Sequence, residues 1–173
     1  MGARAEALAD QFEQANQAVI DCVLSNDNGD FSVACPAEGW TAAALGAHIG
    51  MGHAGILDGL IKRAVSGEEI PAFKMSDFDE GNRKFAIENA AIPTEQIVAL
   101  LRENGASAAA YVRSLSDEDL DRTTSMPPMD GQQVTTHQLI EWVLIGHTRE
   151  HGQSLREGLG VHDHQHDMAV ASA

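Results

Sequence analysis

The run Thr136-His-Gln-Leu-Ile140-Glu-Trp-Val-Leu-Ile-Gly-His147-Thr-Arg-Glu-His151-Gly-Gln-Ser-Leu155-Arg-Glu-Gly158 decides how the chain folds. At about 100° per residue, Ile140, Val143, Leu144, His147, His151, Ser154 and Leu155 fall within roughly 60° of one mean direction, and Arg149 points the opposite way. The spacing predicts a helix, capped by Thr135 or Thr136 and ending near Gly158 or Gly160, that carries two imidazoles in the middle of its apolar stripe. A solvated histidine pair would share the Arg149 face. Histidines at i and i+4 can offer two nitrogens to one metal, with a third ligand from another element. On its own, an H-x3-H more often means hydrogen-bonded core histidines. His48, on the buried side of another helix, tips the reading toward metal.

That second helix is read from Ala42 to about Ser66, with Thr41 as N-cap and Gly67 as stop. Taking Leu45 as zero, Ile49, Gly52, Ile56 and Leu60 lie between about −20° and +60°, His48 near −60° and His53 near +80°. About 140° apart, His48 and His53 cannot both aim at one ion. Trp40, next to the cap, is assigned a packing role as a hydrophobic staple.

The remaining helices follow from the same period. Leu8, Phe12, Ala15, Val19 and Val23 predict a first helix from Ala5 to the turn cluster at Ser25–Asp30. Phe31 to Gly39 reads as an irregular connection. Asp77–Asn89 is a shorter helix with Phe78, Asn82, Phe85 and Asn89 on one side; the asparagines bond loop backbone or face a cavity. Pro93 and Thr94 open a fourth helix with Ile97, Leu101, Ala108, Val112 and Leu115 inward, Gly105 as its weak point and Ser116–Asp119 as its end. Asp121 to Val134 is a long loop with room for a brief hairpin around Asp130-Gly131. The class is all-α: four long helices and a shorter one, packed as a bundle, in one domain over residues 1–160. Residues 161–173, with His162, His164 and His166, read as an unstructured tail with incidental metal affinity.

Composition narrows the function. Among 173 residues, 11 Lys and Arg stand against 26 Asp and Glu, a net charge of −15. That repels phosphate backbones and anionic lipids, so neither nucleic acid nor membrane is an expected partner. Cys22 and Cys35 form no C-x-x-C pair and are too few for a disulfide framework, which fits a reducing cytoplasm. The run from Gly39 to Leu57 has no charged residue for 19 positions, but its five glycines and two histidines make poor membrane material.

Four blocks carry a family resemblance: Cys35-Pro36…Gly39-Trp40-Thr41…Leu45…His48; Phe78-Asp79…Asn82; Leu115-Ser116-Asp117-Glu118-Asp119-Leu120; and Leu139-Ile140…Gly146-His147…Arg149-Glu150-His151. Together, spanning about Cys35 to Gly158, they resemble the DinB-like bundle superfamily, especially its branch of mycothiol-dependent maleylpyruvate isomerases. The resemblance implies a four-helix bundle with a divalent metal held by His48, His147 and His151. The isomerase branch commonly has Glu where this chain has His147, as many DinB-like proteins do; that weakens maleylpyruvate as substrate and leaves the metal untouched.

Three neutral imidazoles leave at least one open position on the ion and leave its charge uncompensated. Zn²⁺ suits such ligands best, Ni²⁺ follows, and Mg²⁺ does not fit. The expected activity is thiol-dependent transfer or isomerisation of a small substrate, the ion activating a low-molecular-weight thiol such as mycothiol or bacillithiol. The alternatives are a metal-dependent hydrolase and a non-catalytic, stress-related bundle braced by its metal. Loops 67–77 and 121–134 are expected to touch substrate. Asn82 is a candidate cofactor contact and Glu150 a candidate proton-handling group. His147 to His151 also spells the H-x-x-E-H of inverted zinc proteases, but only 22 residues follow to supply their distant third ligand. The broad apolar stripes and the resemblance imply a homodimer through helix faces, which sedimentation showing only monomer at tens of micromolar would contradict.

Overall fold

The computed structural model describes residues 2–26, 29–72, 75–127 and 131–161, without the side chains at 75 and 77. Residues 128–130, within the expected loop, and the histidine-rich stretch 162–173 lie outside the described residues. Val161 packs against the core with Leu159.

Helix α1 (Ala3–Ser25) buries Leu8, Phe12, Val19 and Val23. The connection that follows is pinned by an antiparallel bridge between Ala34 and Thr41. Thr41 caps α2 (Ala42–Ile56), its hydroxyl accepting from the Ala44 amide. The helix then widens into a π-helical turn, π1 (Leu57–Ile61), and finishes as α3 (Lys62–Ser66) at Gly67, whose φ of +76° favours a residue without Cβ. Next come α4 (Met75–Glu88) and α5 (Thr94–Ser114). Strands β1 (Thr123–Met126) and β2 (Gln132–Thr135) form the small hairpin, with Thr123 opposite Thr135 and Met126 opposite Gln132. The last helix is built of α7 (Thr136–Gln138), π2 (Leu139–Ile145) and α8 (Gly146–Gly158). Between α5 and β1 lies the short α6 (Asp117–Asp121).

Helix α5 packs against both α1 and α2, and α8 packs against the same two, so α1 and α2 lie diagonally across a four-helix bundle. Helix α4 lies against α2 as an outer cover. The core divides in two along the bundle. One cluster joins Leu8, Phe12, Leu57, Ile61, Val112, Ile140 and Leu144. The other joins Val19, Val23, Leu45, Ile49, Ile97, Leu101 and Leu155. Along their helices Asn16, His53, Gly105 and Thr148 each fall between the residues given to one cluster and those given to the other. Three of these four are the buried polar side chains of a middle layer, and it adjoins the site. Among the described residues no helix is long and apolar enough to cross a membrane.

Three features depart from the sequence reading. Ser116 does not merely end α5: with Asp119 it makes a capping box that starts α6. Gly105 is a packing notch rather than a weak point, since a Cβ there would stand 2.2 Å from Asn16 Nδ2, which donates to the Leu101 carbonyl across the bundle. The last helix is also not uniformly α. A π turn absorbs an extra residue and turns what precedes it by about 100° relative to a continuous α-helix. Leu139 and Ile145 are therefore buried, Val143 is half-buried, and Trp142 is half exposed.

Candidate metal centre

Helix α2 supplies His48, and α8 supplies His147 and His151 one turn apart. One ring nitrogen from each of the three lies within 4.8 Å of the other two. His48 Nε2 and His147 Nε2 are 3.1 Å apart. Two nitrogens bound at about 2.0–2.1 Å to one tetrahedral ion would be about 3.3 Å apart, so the pair is spaced for a shared ion without rearrangement.

The surroundings hold these rings in place. The Trp40 ring meets His48 edge-on with centroids 5.2 Å apart, and the Phe85 ring lies at 5.9 Å from it. Trp40 is thus a wall of the site, beyond the staple role expected of it. Gly52 makes room for His147: a Cβ at position 52 would stand 2.6 Å from His147 Cε1. We expect Gly52→Ala to push that ring aside and weaken zinc binding by about tenfold or more while all three histidines remain. Competition with a chromophoric chelator checks it.

His48 and His147 offer lone pairs rather than charge near neutrality. Burial, then the nearby His151, hold His48 down to about 4, against the opposing pull of Glu38. Burial, then His151, His48 and His53, push His147 down to about 2. His151 is oriented by a hydrogen bond, its Nδ1 lying 2.6 Å from Glu38 Oε1. The second oxygen, Glu38 Oε2, accepts from Ser154 Oγ at 2.6 Å. His147 Nδ1 is buried with no hydrogen-bond partner among the described residues. A donor set of three partly buried imidazoles fits a divalent ion that prefers nitrogen, and one ion would satisfy the two facing Nε2 atoms better than they satisfy each other.

The open side of the histidines faces a cavity of about 580 Å³. Its walls are apolar, with Met51, Leu60, Phe78, Phe85, Met126 and Val143, and its polar groups besides the histidines are Asp79 and Asn82. The expected substrate loops contribute less than α4. Phe78, Asp79, Asn82 and Phe85 all belong to that helix, and of the 121–134 segment only Met126 lines the cavity among the described residues. Of the two asparagines, Asn82 faces the cavity and Asn89 donates to the Phe85 carbonyl.

The other candidates fall elsewhere. Glu150 is exposed and does not line the cavity, which removes the geometric case for a proton-handling role. His53 turns the other way, fully buried against Phe12, with Nε2 3.1 Å from Thr148 Oγ1. His137 stands near the start of the last helix, 3.9 Å from Glu141. The residue that the sequence reading missed is Glu38. It lies 113 positions from His151, inside the Cys35–Thr41 block, and no periodicity marks a loop side chain. The three expected ligands still carry no compensating charge, and Glu38 places a carboxylate one hydrogen bond behind them.

With this geometry in hand, comparison places the chain. The family model described as the mycothiol maleylpyruvate isomerase N-terminal domain matches residues 5–147. The chain belongs to this family. The match ends at His147, so His151 and Ser154, the two residues that bond to Glu38, lie beyond it. No curated protein matches. Among solved structures, YfiT from Bacillus subtilis superposes with a TM-score of 0.64 at 17% identity, over 92% of this chain and 90% of that one. It is described as a probable metal-dependent hydrolase with an unusual four-helix bundle topology. At that identity the likeness establishes the shared bundle fold.

Proposed function

We propose that this protein of the mycothiol maleylpyruvate isomerase N-terminal domain family is a metal-dependent enzyme that uses a low-molecular-weight thiol to transfer or isomerise a small substrate. The observation that carries the reading is the convergence of His48, His147 and His151 on the floor of an open, apolar cavity. A divalent ion there, Zn²⁺ by preference and Ni²⁺ next, would lower the pKa of a thiol or water at its open position.

The chain's own residues do the rest. Trp40, Phe85 and Gly52 fix the imidazoles, so little reorganisation is needed when the ion enters. Met51, Leu60, Phe78, Met126 and Val143 offer a hydrophobic bed for the body of a substrate and displace water from it. Asn82 supplies an amide, donor and acceptor together, at the cavity wall. The family's own description, which names mycothiol, supports the thiol.

The second reading, hydrolysis of a small substrate, is favoured by the structural likeness to YfiT and uses the same site with water in place of thiol. Turnover of a panel of small electrophiles by zinc-loaded protein, with and without mycothiol, bacillithiol or glutathione, separates the two. Turnover that rises from background only with thiol supports the first. Turnover indifferent to thiol supports the second.

A further inference from the structure

Glu38 makes two short hydrogen bonds from a place that gives it no freedom to do otherwise. Its side chain is 11% exposed. The loop that carries it is closed at both ends: Cys35 N donates to the Trp40 carbonyl at 2.8 Å, and Gly39 N donates to the Cys35 carbonyl at 2.9 Å. Gly39, with φ of +70°, makes that reversal without a Cβ penalty. Both carboxylate oxygens are engaged with α8, one by His151 and one by Ser154. Ser154 is buried and lies three residues after His151, so the two donors rise from one face of the helix like a fork.

We infer that Glu38 is the positioning residue of the metal centre, fixing His151 in its Nδ1–H form so that the Nε2 lone pair faces the ion. The inference rests on the reading of the three histidines as a metal site. An ionised carboxylate can only accept, so the hydrogen between Glu38 Oε1 and His151 Nδ1 belongs to the ring, and a neutral imidazole then has its free lone pair on Nε2. Ser154 holds the second oxygen and stops the carboxylate from rotating away. Carboxylate–histidine pairs of this kind strengthen the ring as a donor, and their loss typically costs 10–100-fold in metal affinity. Among the described residues His147 has no such partner at its own Nδ1. The carboxylate also offsets one of the two charges that three neutral ligands would leave on the ion.

The test uses the full-length chain with His162, His164 and His166 changed to Ala, compared with the same chain carrying Glu38→Gln, Glu38→Ala or Ser154→Ala. Long-range ¹H–¹⁵N spectra of the metal-free proteins, with His151 assigned by its loss in His151→Ala, report the tautomer directly. His151 should be the Nδ1–H form in the parent and in Glu38→Gln, whose amide oxygen can still accept, and a tautomer mixture in Glu38→Ala. Zinc affinity by chelator competition should fall about 10–100-fold in Glu38→Ala, with Glu38→Gln between it and the parent. A purely structural role would lower the unfolding midpoint and leave tautomer and affinity unchanged. The Nε2–H form in the parent, or full affinity in a folded Glu38→Ala, overturns the inference. Absence of zinc binding in the parent itself overturns the metal reading, and the assignment of Glu38 with it, whatever the tautomer.

Discussion

Replacing His147 by Ala in the chain that ends at Val161 is expected to reduce bound zinc from about one ion to almost none, the largest single effect in the molecule. His48→Ala and His151→Ala should do the same, because two remaining imidazoles leave an ion half-ligated in a cavity with no other nitrogen donor among its described walls. Three controls should keep the ion. His53→Ala removes a ring that is bonded to Thr148 and packed on Phe12, on the far side of α2. His137→Ala removes one about 15 Å along the helix. Deleting 162–173 removes the histidines of the terminal stretch, which could otherwise hide the loss. Metal analysis after gel filtration reads all six. The opposite pattern, with stability lost and metal retained in His147→Ala, would mean that the rings are hydrogen-bonded core histidines.

Acid should weaken the metal-free fold steeply, and His53 should account for a definable part. Burial holds its pKa down to about 4, against 6.5 when exposed. Hydrogen bonding agrees: the Thr148 hydroxyl is already spent as donor to the Leu144 carbonyl, so His53 Nε2 must donate to it. Among the described residues Nδ1 then has no partner, and a proton placed there would have no acceptor. The sign follows from proton counting. Between pH 6.5 and 4 the unfolded chain holds a proton that the native chain does not, so the contribution is complete above 6.5 and is lost as pH falls toward 4. Its size is about 3 kcal/mol. Urea unfolding in chelator at about pH 7.5 and about pH 4.5 should show a smaller pH difference for His53→Gln than for the parent, by about 2–3 kcal/mol. Equal differences would show that His53 is protonated at little cost in the native state.

How far the fold could be read from the sequence depended on whether a feature was periodic. The stripes of α1, α2 and α5 repeat every three to four residues, and Thr41, Gly67 and Thr135 punctuate them, so element type and order followed from the chain alone. The opposite edges assigned to His48 and His53 required only helical geometry, and the structure sends the two rings to different neighbours. The π turns left no such mark. Leu57–Ile61 and Leu139–Ile145 are apolar runs compatible with either winding, and the choice is made by what they pack against. Glu38 was hidden for a related reason: its role arises from a loop meeting α8 in space, and spacing along the chain does not encode that meeting. The cover provided by α4 was equally tertiary, although Asn82 on its apolar side was a residue-level hint of a cavity.

The claim on which the account stands is that three imidazoles hold one ion with a coordination position open to the cavity. Cobalt-substituted chain ending at Val161, titrated with azide and then with a small thiol, tests it most directly. The account predicts one cobalt per chain, an intense visible spectrum of low coordination number, and saturable changes on adding each ligand, with a sulfur-to-cobalt charge-transfer band for the thiol. Cobalt that binds with a weak octahedral spectrum indifferent to both ligands, or no stoichiometric binding at all, would contradict it.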